Sequence, residues 1–272
     1  MDLDLKDVHV LVTGAVLQMT SPDAPDQFHR PMCRQVQAGG SASRPPSSIA
    51  VRPHCFVCFA VPSDHNLPAL GAEVTAHYNT QYGPLESLSK DNVNLQAVQA
   101  ELSDETSVTN MFTAIAHAGP VQVLIVNHGI WPTDDIPVAD LTLERWNRTI
   151  ATNLTSSFLV CREYLSRLRN ATPKIKEKAA IVLIGSTAGK YGEAGHADYA
   201  VTKSGVSAAI SRCAYITILS AMMYGLTMTL KNEIVKIAPK GRVNTVAPGW
   251  VRTPMAESAL ADPDVVYRAL AT

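Results

Sequence analysis

Residues 8–14 read Val-His-Val-Leu-Val-Thr-Gly. A short apolar run closed by a glycine is the pattern of a buried strand that ends in a tight turn. Further runs of the same kind follow. Residues 72–78 (AEVTAHY), a stretch within 93–102 (VNLQAVQAEL), 121–127 (VQVLIVN), 180–186 (AIVLIGS) and 241–249 (GRVNTVAPG) read as strands, the last with its turn. Helical periodicity separates them. Ser103 is placed to cap a helix over 104–118, a long helix is expected over 141–168 after which 170–180 form a charged solvated turn, and helical patterns cover 197–205 and 223–238. Strands alternating with helices predict a doubly wound parallel α/β sheet, Rossmann-type and three-layered, formed as a single domain over residues 1–272. Ligands of such sheets bind beyond the carboxyl ends of the strands.

Two segments break the rhythm. Residues 16–70 hold eight of the chain's 17 prolines and the run GGSASRPPSS, with no sustained period of 2 or 3.6, so loop or disorder is expected there. Residues 206–221 (VSAAISRCAYITILSA) form an apolar run with Arg212 as its one charge. Hydropathy alone would flag a membrane span there. The run is embedded between two halves of an amphipathic helix, which argues against one.

Composition narrows the function. The chain has 272 residues, 46% of them hydrophobic, and a formal net charge of −1. Mean hydropathy is +0.05. No basic stripe points to nucleic acid or to an anionic membrane. The acidic, polar start carries no apolar targeting core, so a cytoplasmic protein is expected. The five cysteines are an odd number and argue against a disulfide framework. His54 beside Cys55 and Cys58 suggests zinc, but Cys33 and His65 do not supply the second ligand pair such a site needs.

The chemistry concentrates at Tyr199-Ala-Val-Thr-Lys203. A spacing of four on a helix sets phenol and ammonium on one face, one turn apart. A cation there favours the phenolate and is expected to lower the tyrosine's pKa toward the working range of an acid or base. Ser186 ends a strand shortly before that helix, where its hydroxyl can hold a substrate oxygen. Asn153 lies in the long helix. Asn127-His128-Gly129 and Pro248-Gly249 each follow a strand.

In this order, Thr13-Gly14-Ala15, Asn127-His128-Gly129, Asn153, Ser186, Tyr199-x-x-x-Lys203 and PGWVRTPM (248–255) resemble the short-chain dehydrogenase/reductase family. The thirteen residues from Ser186 to Tyr199 suit that family. The resemblance covers about residues 7–15, 71–205 and 222–272. It implies an NAD(P)-dependent oxidoreductase that moves a hydride between nicotinamide and a small carbonyl or alcohol. Tyr199 would be the acid/base, and Lys203 would tune it and hold the nicotinamide ribose. Ser186 would bind the reacting oxygen, and Asn153 would keep a water in a proton relay. Thr13, Gly14, Asn79, Asn127, Gly129, Tyr199, Lys203, Pro248, Gly249 and Thr253 would contact the cofactor. Tyr78-Asn79-Thr80 carries no acid to bind a ribose 2′-hydroxyl, which favours NADP, with NAD as the alternative. Glu101-Leu102 matches the place where the family holds the adenine. Trp131, Tyr191 and Trp250 are expected to shape the substrate pocket.

The chain departs from the family in three places. The glycines and helix that should follow Gly14 and grip a pyrophosphate are replaced. Residues 206–221 split the helix that carries Tyr199. The sequence stops at YRALAT, short of the family's closing strand. Both foreign segments begin with valine, a GT codon, as translated retained introns would. A homo-oligomer is compatible with the family but weakened by the insertion and the truncation. The rival expectation is therefore a catalytically impaired or mistranslated relative that binds cofactor poorly or not at all.

Overall fold

The computed structural model describes residues 5–14, 67, 71–204, 221–250 and 261. The expectations for 16–70 (Leu67 apart), for the zinc reading at 54–58, for 206–220 and for Thr253 lie outside the described residues. Among the described residues, no helix is long and apolar enough to cross a membrane. Among the same residues, no group of three or more His, Cys, Asp or Glu could hold a metal.

Six parallel strands form one sheet in the order β3-β2-β1-β4-β5-β6. They are β1 His9–Thr13, β2 Glu73–Tyr78, β3 Leu95–Gln99, β4 Val123–Val126, β5 Ala180–Ile184 and β6 Arg242–Val246. The order reverses between β1 and β4, which is where a doubly wound sheet opens its crevice. Register follows the apolar runs: Val10 pairs with Val74 on one side and with Val123 on the other. Side chains alternate between two cores, as period-2 geometry requires. Leu11, Leu124, Ile181 and Leu183 face α2 (Glu105–Ala114), α4 (Ser156–Arg169) and α8 (Ala221–Ile237). Val10, Val12, Val74 and Val182 face the other side, where Leu85 of α1 (Gly83–Asp91) packs.

Four local readings are corrected. Asp104, not Ser103, caps α2: its carboxylate accepts from Ser107 N at 2.6 Å, while Ser103 N is taken by Glu101. The helix expected over 104–118 ends at Ala114 and tightens into a 3₁₀ turn, Ile115–Ala118. The charged turn contains a short helix, α5 (Pro173–Lys176). The long helix is two, α3 (Leu143–Ile150) and α4, joined by a π-helical turn at Ala151–Thr155. The Ser156 and Ser157 hydroxyls bond back to the carbonyls of Thr152 and Asn153. Such back-bonding loosens the helical ladder and bends helices. α1 was not signalled, because Gly83-Pro84 reads as a turn although proline suits a first helical turn.

Candidate active site

The site residues outside the helices sit where the strands end. Thr13 and Gly14 close β1, Asn79 follows β2, residues 127–129 follow β4, Ser186 follows β5, and Pro248 and Gly249 follow β6. Two short helices come next, α6 (Ala188–Tyr191) and α7 (Ala197–Lys203). Thr187 N donates to Pro248 O at 3.0 Å, which ties the β6 turn to the Ser186 turn.

Ser186, Tyr199 and Lys203 meet around one cleft. The Ser186 hydroxyl and the Tyr199 phenol are hydrogen-bonded. Lys203 Nζ lies 5.9 Å from the centre of the Tyr199 ring and donates to Ile184 O at 2.9 Å. The expected lowering of the Tyr199 pKa is not what this arrangement gives. Burial raises it, opposed by the Ser186 hydrogen bond. The ammonium is itself withdrawn from water, and burial brings it down to about 8. At neutral pH Lys203 is still a cation, with two N–H groups beyond the one held by Ile184.

Asn153 is buried in the π turn and reaches out of its own helix. Its Oδ1 accepts from Ile130 N at 2.8 Å, and its Nδ2 donates to Ile130 O at 3.0 Å and to Thr202 Oγ1 at 3.2 Å. It fixes the loop after β4 against α7. π turns are frequent at functional sites.

His128, for which the sequence pattern predicts no role of its own, anchors the β1–β4 crevice. Its Nδ1 lies 2.7 Å from Thr13 Oγ1 and its Nε2 lies 2.7 Å from Ser156 Oγ. Burial holds its pKa down to about 3, so the ring is neutral. Ser156 spends its proton on Thr152 O, so His128 must donate from Nε2 and accept at Nδ1 from Thr13. Thr13 then accepts from Asn127 N. Asn127 Nδ2 in turn donates to Gly14 O at 2.9 Å. Gly14 has φ +61°, and a Cβ there would stand 2.5 Å from His128 Cα, so only glycine fits.

Trp131 covers the cleft. Its ring meets Tyr199 edge-on at 4.6 Å, with Trp250 at 6.0 Å. Tyr191 is exposed on α6 beneath Lys190. A separate cavity of about 340 Å³, lined by Phe112, Pro120, Tyr164 and Arg167 among others, opens at the amino ends of the strands and touches none of these residues.

The short chain dehydrogenase family model matches residues 65–216, more than half of the chain. The chain belongs to the short-chain dehydrogenase family. An uncharacterized oxidoreductase, YgfF of Escherichia coli (strain K12), is 36% identical over 161 residues, 58% of this chain and 56% of that protein. A 3-oxoacyl-[acyl-carrier-protein] reductase of Synechocystis sp. (strain ATCC 27184 / PCC 6803 / Kazusa) is 33% identical over 178 residues, 64% of this chain and 61% of the reductase. This short-chain dehydrogenase thus spans little more than half the length of several curated relatives. The solved structure of gox2181 shares the fold with a TM-score of 0.60, at 20% identity over 75% of this chain and 72% of its own.

The residues of this short-chain dehydrogenase fit the nicotinamide half of a dinucleotide. Gly129 is a cradle: a Cβ there would come within 3.2 Å of Asn153 Oδ1 and 3.4 Å of Lys203 Nζ, so the bare backbone leaves the space beside the ammonium free of a side chain. The diphosphate half is not matched among the described residues. Gly14 N–H, the donor at the head of the expected phosphate loop, is bonded to His77 Nδ1 at 3.1 Å.

Proposed function

We propose that the chain is a nicotinamide-dependent oxidoreductase that interconverts a small-molecule ketone and its alcohol. The observation that carries this reading is the Ser186–Tyr199 hydrogen bond with the Lys203 ammonium beneath the same ring. A bound NAD(P) would supply or take the hydride. Ser186 would hold the reacting oxygen against the phenol. Tyr199 would give that oxygen its proton in reduction and take it back in oxidation. Lys203 would hold the ribose with its two remaining N–H groups and, as a cation, stabilise the phenolate left behind. Asn153 would keep the loop that carries Gly129 in place against α7. Trp131 and Trp250 favour an apolar substrate wall, and the name of the 3-oxoacyl-[acyl-carrier-protein] reductase above supports a ketone.

The absence of an acid at Tyr78-Asn79-Thr80 supports NADP over NAD. A second reading, an impaired relative without turnover, is favoured by one contact: Gly14 N–H, which should face a phosphate, is bonded to His77. Titrating the full chain with NADPH and then assaying ketone reduction decides between them. Binding with turnover that falls at least ~100-fold in Tyr199→Phe supports the enzyme. No binding supports the impaired relative. Turnover unchanged in Tyr199→Phe overturns the assignment of the proton donor.

A further inference from the structure

α7 is only seven residues long, and the residue before Tyr199 ties its start to two other elements. Asp198, the residue before Tyr199, is fully buried. Its carboxylate accepts from Arg145 Nε at 3.1 Å, from Thr149 Oγ1 at 2.7 Å and from the Tyr199 backbone N–H. Burial pushes this carboxyl up, and the Arg145 and Thr149 bonds more than offset it, so it stays ionised below its ordinary range. The same guanidinium donates to Asp134 O at 2.6 Å and to Gly195 O at 3.1 Å. Gly195 has φ +78°, and a Cβ there would meet Asp135 Cα at 2.9 Å. One fork thus ties α3, the loop after β4 and the entry to α7.

We propose that Arg145 is a positioning residue that sets the orientation and the acidity of the Tyr199 phenol by neutralising Asp198. This rests on reading Tyr199 as the proton donor. A carboxylate buried one residue from a phenol opposes its ionisation, and a paired guanidinium cancels that field. Arg145 also fixes the loop whose Trp131 ring rests on Tyr199, so orientation and charge are set together. Of the charged groups on the neighbouring elements, Lys203 Nζ lies 5.9 Å from the ring centre, and Asp135 and His196 pair at 3.4 Å where the β4 loop meets the start of α7. Ser186 faces it from the end of β5 with a hydroxyl. Arg145 is the one cation bonded to Asp198 among the described residues.

The test is an NMR titration of the full chain carrying ¹³Cζ-labelled tyrosine, with Tyr199 assigned through Tyr199→Phe. Arg145→Gln strands the carboxylate and moves the Tyr199 titration up by about one pH unit. Asp198→Asn keeps the shape, strands the guanidinium and moves it down. The double variant returns it to the parent value, and this neutral pair covers the case in which Arg145→Gln alone does not fold. In turnover assays Arg145→Gln shifts the pH–rate limb in the same direction while the NADPH KM stays constant. A Tyr199 titration that neither Asp198→Asn nor the folded Arg145 variant moves overturns the proposal. A parent chain without turnover refutes the proposed function instead, and the titration still decides the role of Arg145.

Discussion

Gly189 of α6 presses its bare Cα against the carbonyl of Lys203: a Cβ there would lie 1.9 Å from the Lys203 oxygen and 2.7 Å from Ser204 N. Both partners are backbone, so neither can swing away. Gly189→Ala must part α6 from α7, at a cost of about 2–4 kcal/mol. Because the residue displaced is Lys203, turnover should fall at least ~10-fold with it. Urea unfolding and steady-state kinetics read the two effects. An alanine variant with the parent's midpoint and kcat would show that the two helices are not in contact as described.

The strand runs and the Ser186, Tyr199 and Lys203 trio were legible because each is a local pattern: apolar runs ending in small residues, and a phenol four residues from an ammonium. What the sequence hid depends on distant partners. Gly189 reads as an ordinary turn glycine until Lys203 is set opposite it. Arg145 and Asp198 are 53 residues apart, and nothing near either one announces the other. The π turn at Ala151–Thr155 did have a signal, the hydroxyl cluster from Thr149 to Ser157, but helical periodicity outweighed it. The long i, i+4 spacing also concealed the sign of the effect at Tyr199, since burial of both groups is a tertiary property.

Lys203 is held as a buried cation at a cost to the fold. Burial lowers it to about 8 from an ordinary value of 10.5. The unfolded chain therefore binds that proton more tightly. The stability belonging to the neutral amine is present above about 10.5 and lost as pH falls through about 8. At pH 7 the cost is on the order of 3 kcal/mol. Lys203→Met removes it but leaves the Ile184 carbonyl without its donor, worth about 1–2 kcal/mol. The methionine variant should thus be about 1 kcal/mol more stable at pH 7, lose that advantage by pH 10.5, and have no turnover. In the parent, reduction should decline above about pH 8 as the ammonium titrates. Urea midpoints at the two pH values check the first claim, and a methionine variant weaker at pH 7 contradicts it.

Three buried histidines make the sheet acid-sensitive. His9 bonds Gly119 O and Thr75, His77 bonds Gly14 N and Ala100 O, and His128 bonds Thr13 and Ser156. Burial lowers all three, His128 to about 3. Each contributes stability that is present above about 6.5 and is lost as pH falls toward its folded value. His128 alone should remove about 1.4 kcal/mol per pH unit between about pH 6 and pH 4. His128→Asn lowers stability at pH 7 but flattens the acid slope by one proton. Urea unfolding at pH 7, 6 and 5 gives both slopes, and equal slopes would mean the imidazole is exposed.

On the proposed NAD(P)-dependent reading, cofactor preference would turn on a contact between two strand ends. Asn79, after β2, donates from Nδ2 to Glu101 Oε2 at 3.1 Å, and Glu101 follows β3. Ser103 holds the other carboxylate oxygen through its N–H at 2.9 Å and its hydroxyl at 2.8 Å. These bonds keep Glu101 below the usual carboxylate range, the Ser103 N–H foremost. The segment Tyr78-Asn79-Thr80 has no acid of its own, yet one arrives from the neighbouring strand. A carboxylate beside Asn79 would repel a 2′-phosphate held there by about 1 kcal/mol in a solvated cleft. The second Asn79 N–H stays available to a phosphate oxygen, so NADPH should remain the tighter ligand. Glu101→Gln should then raise NADPH affinity about fivefold and change NADH affinity less than about twofold. Fluorescence titration of both cofactors against both chains measures this. Equal changes for the two would place Glu101 against the adenosine they share, and the selectivity argument would fall.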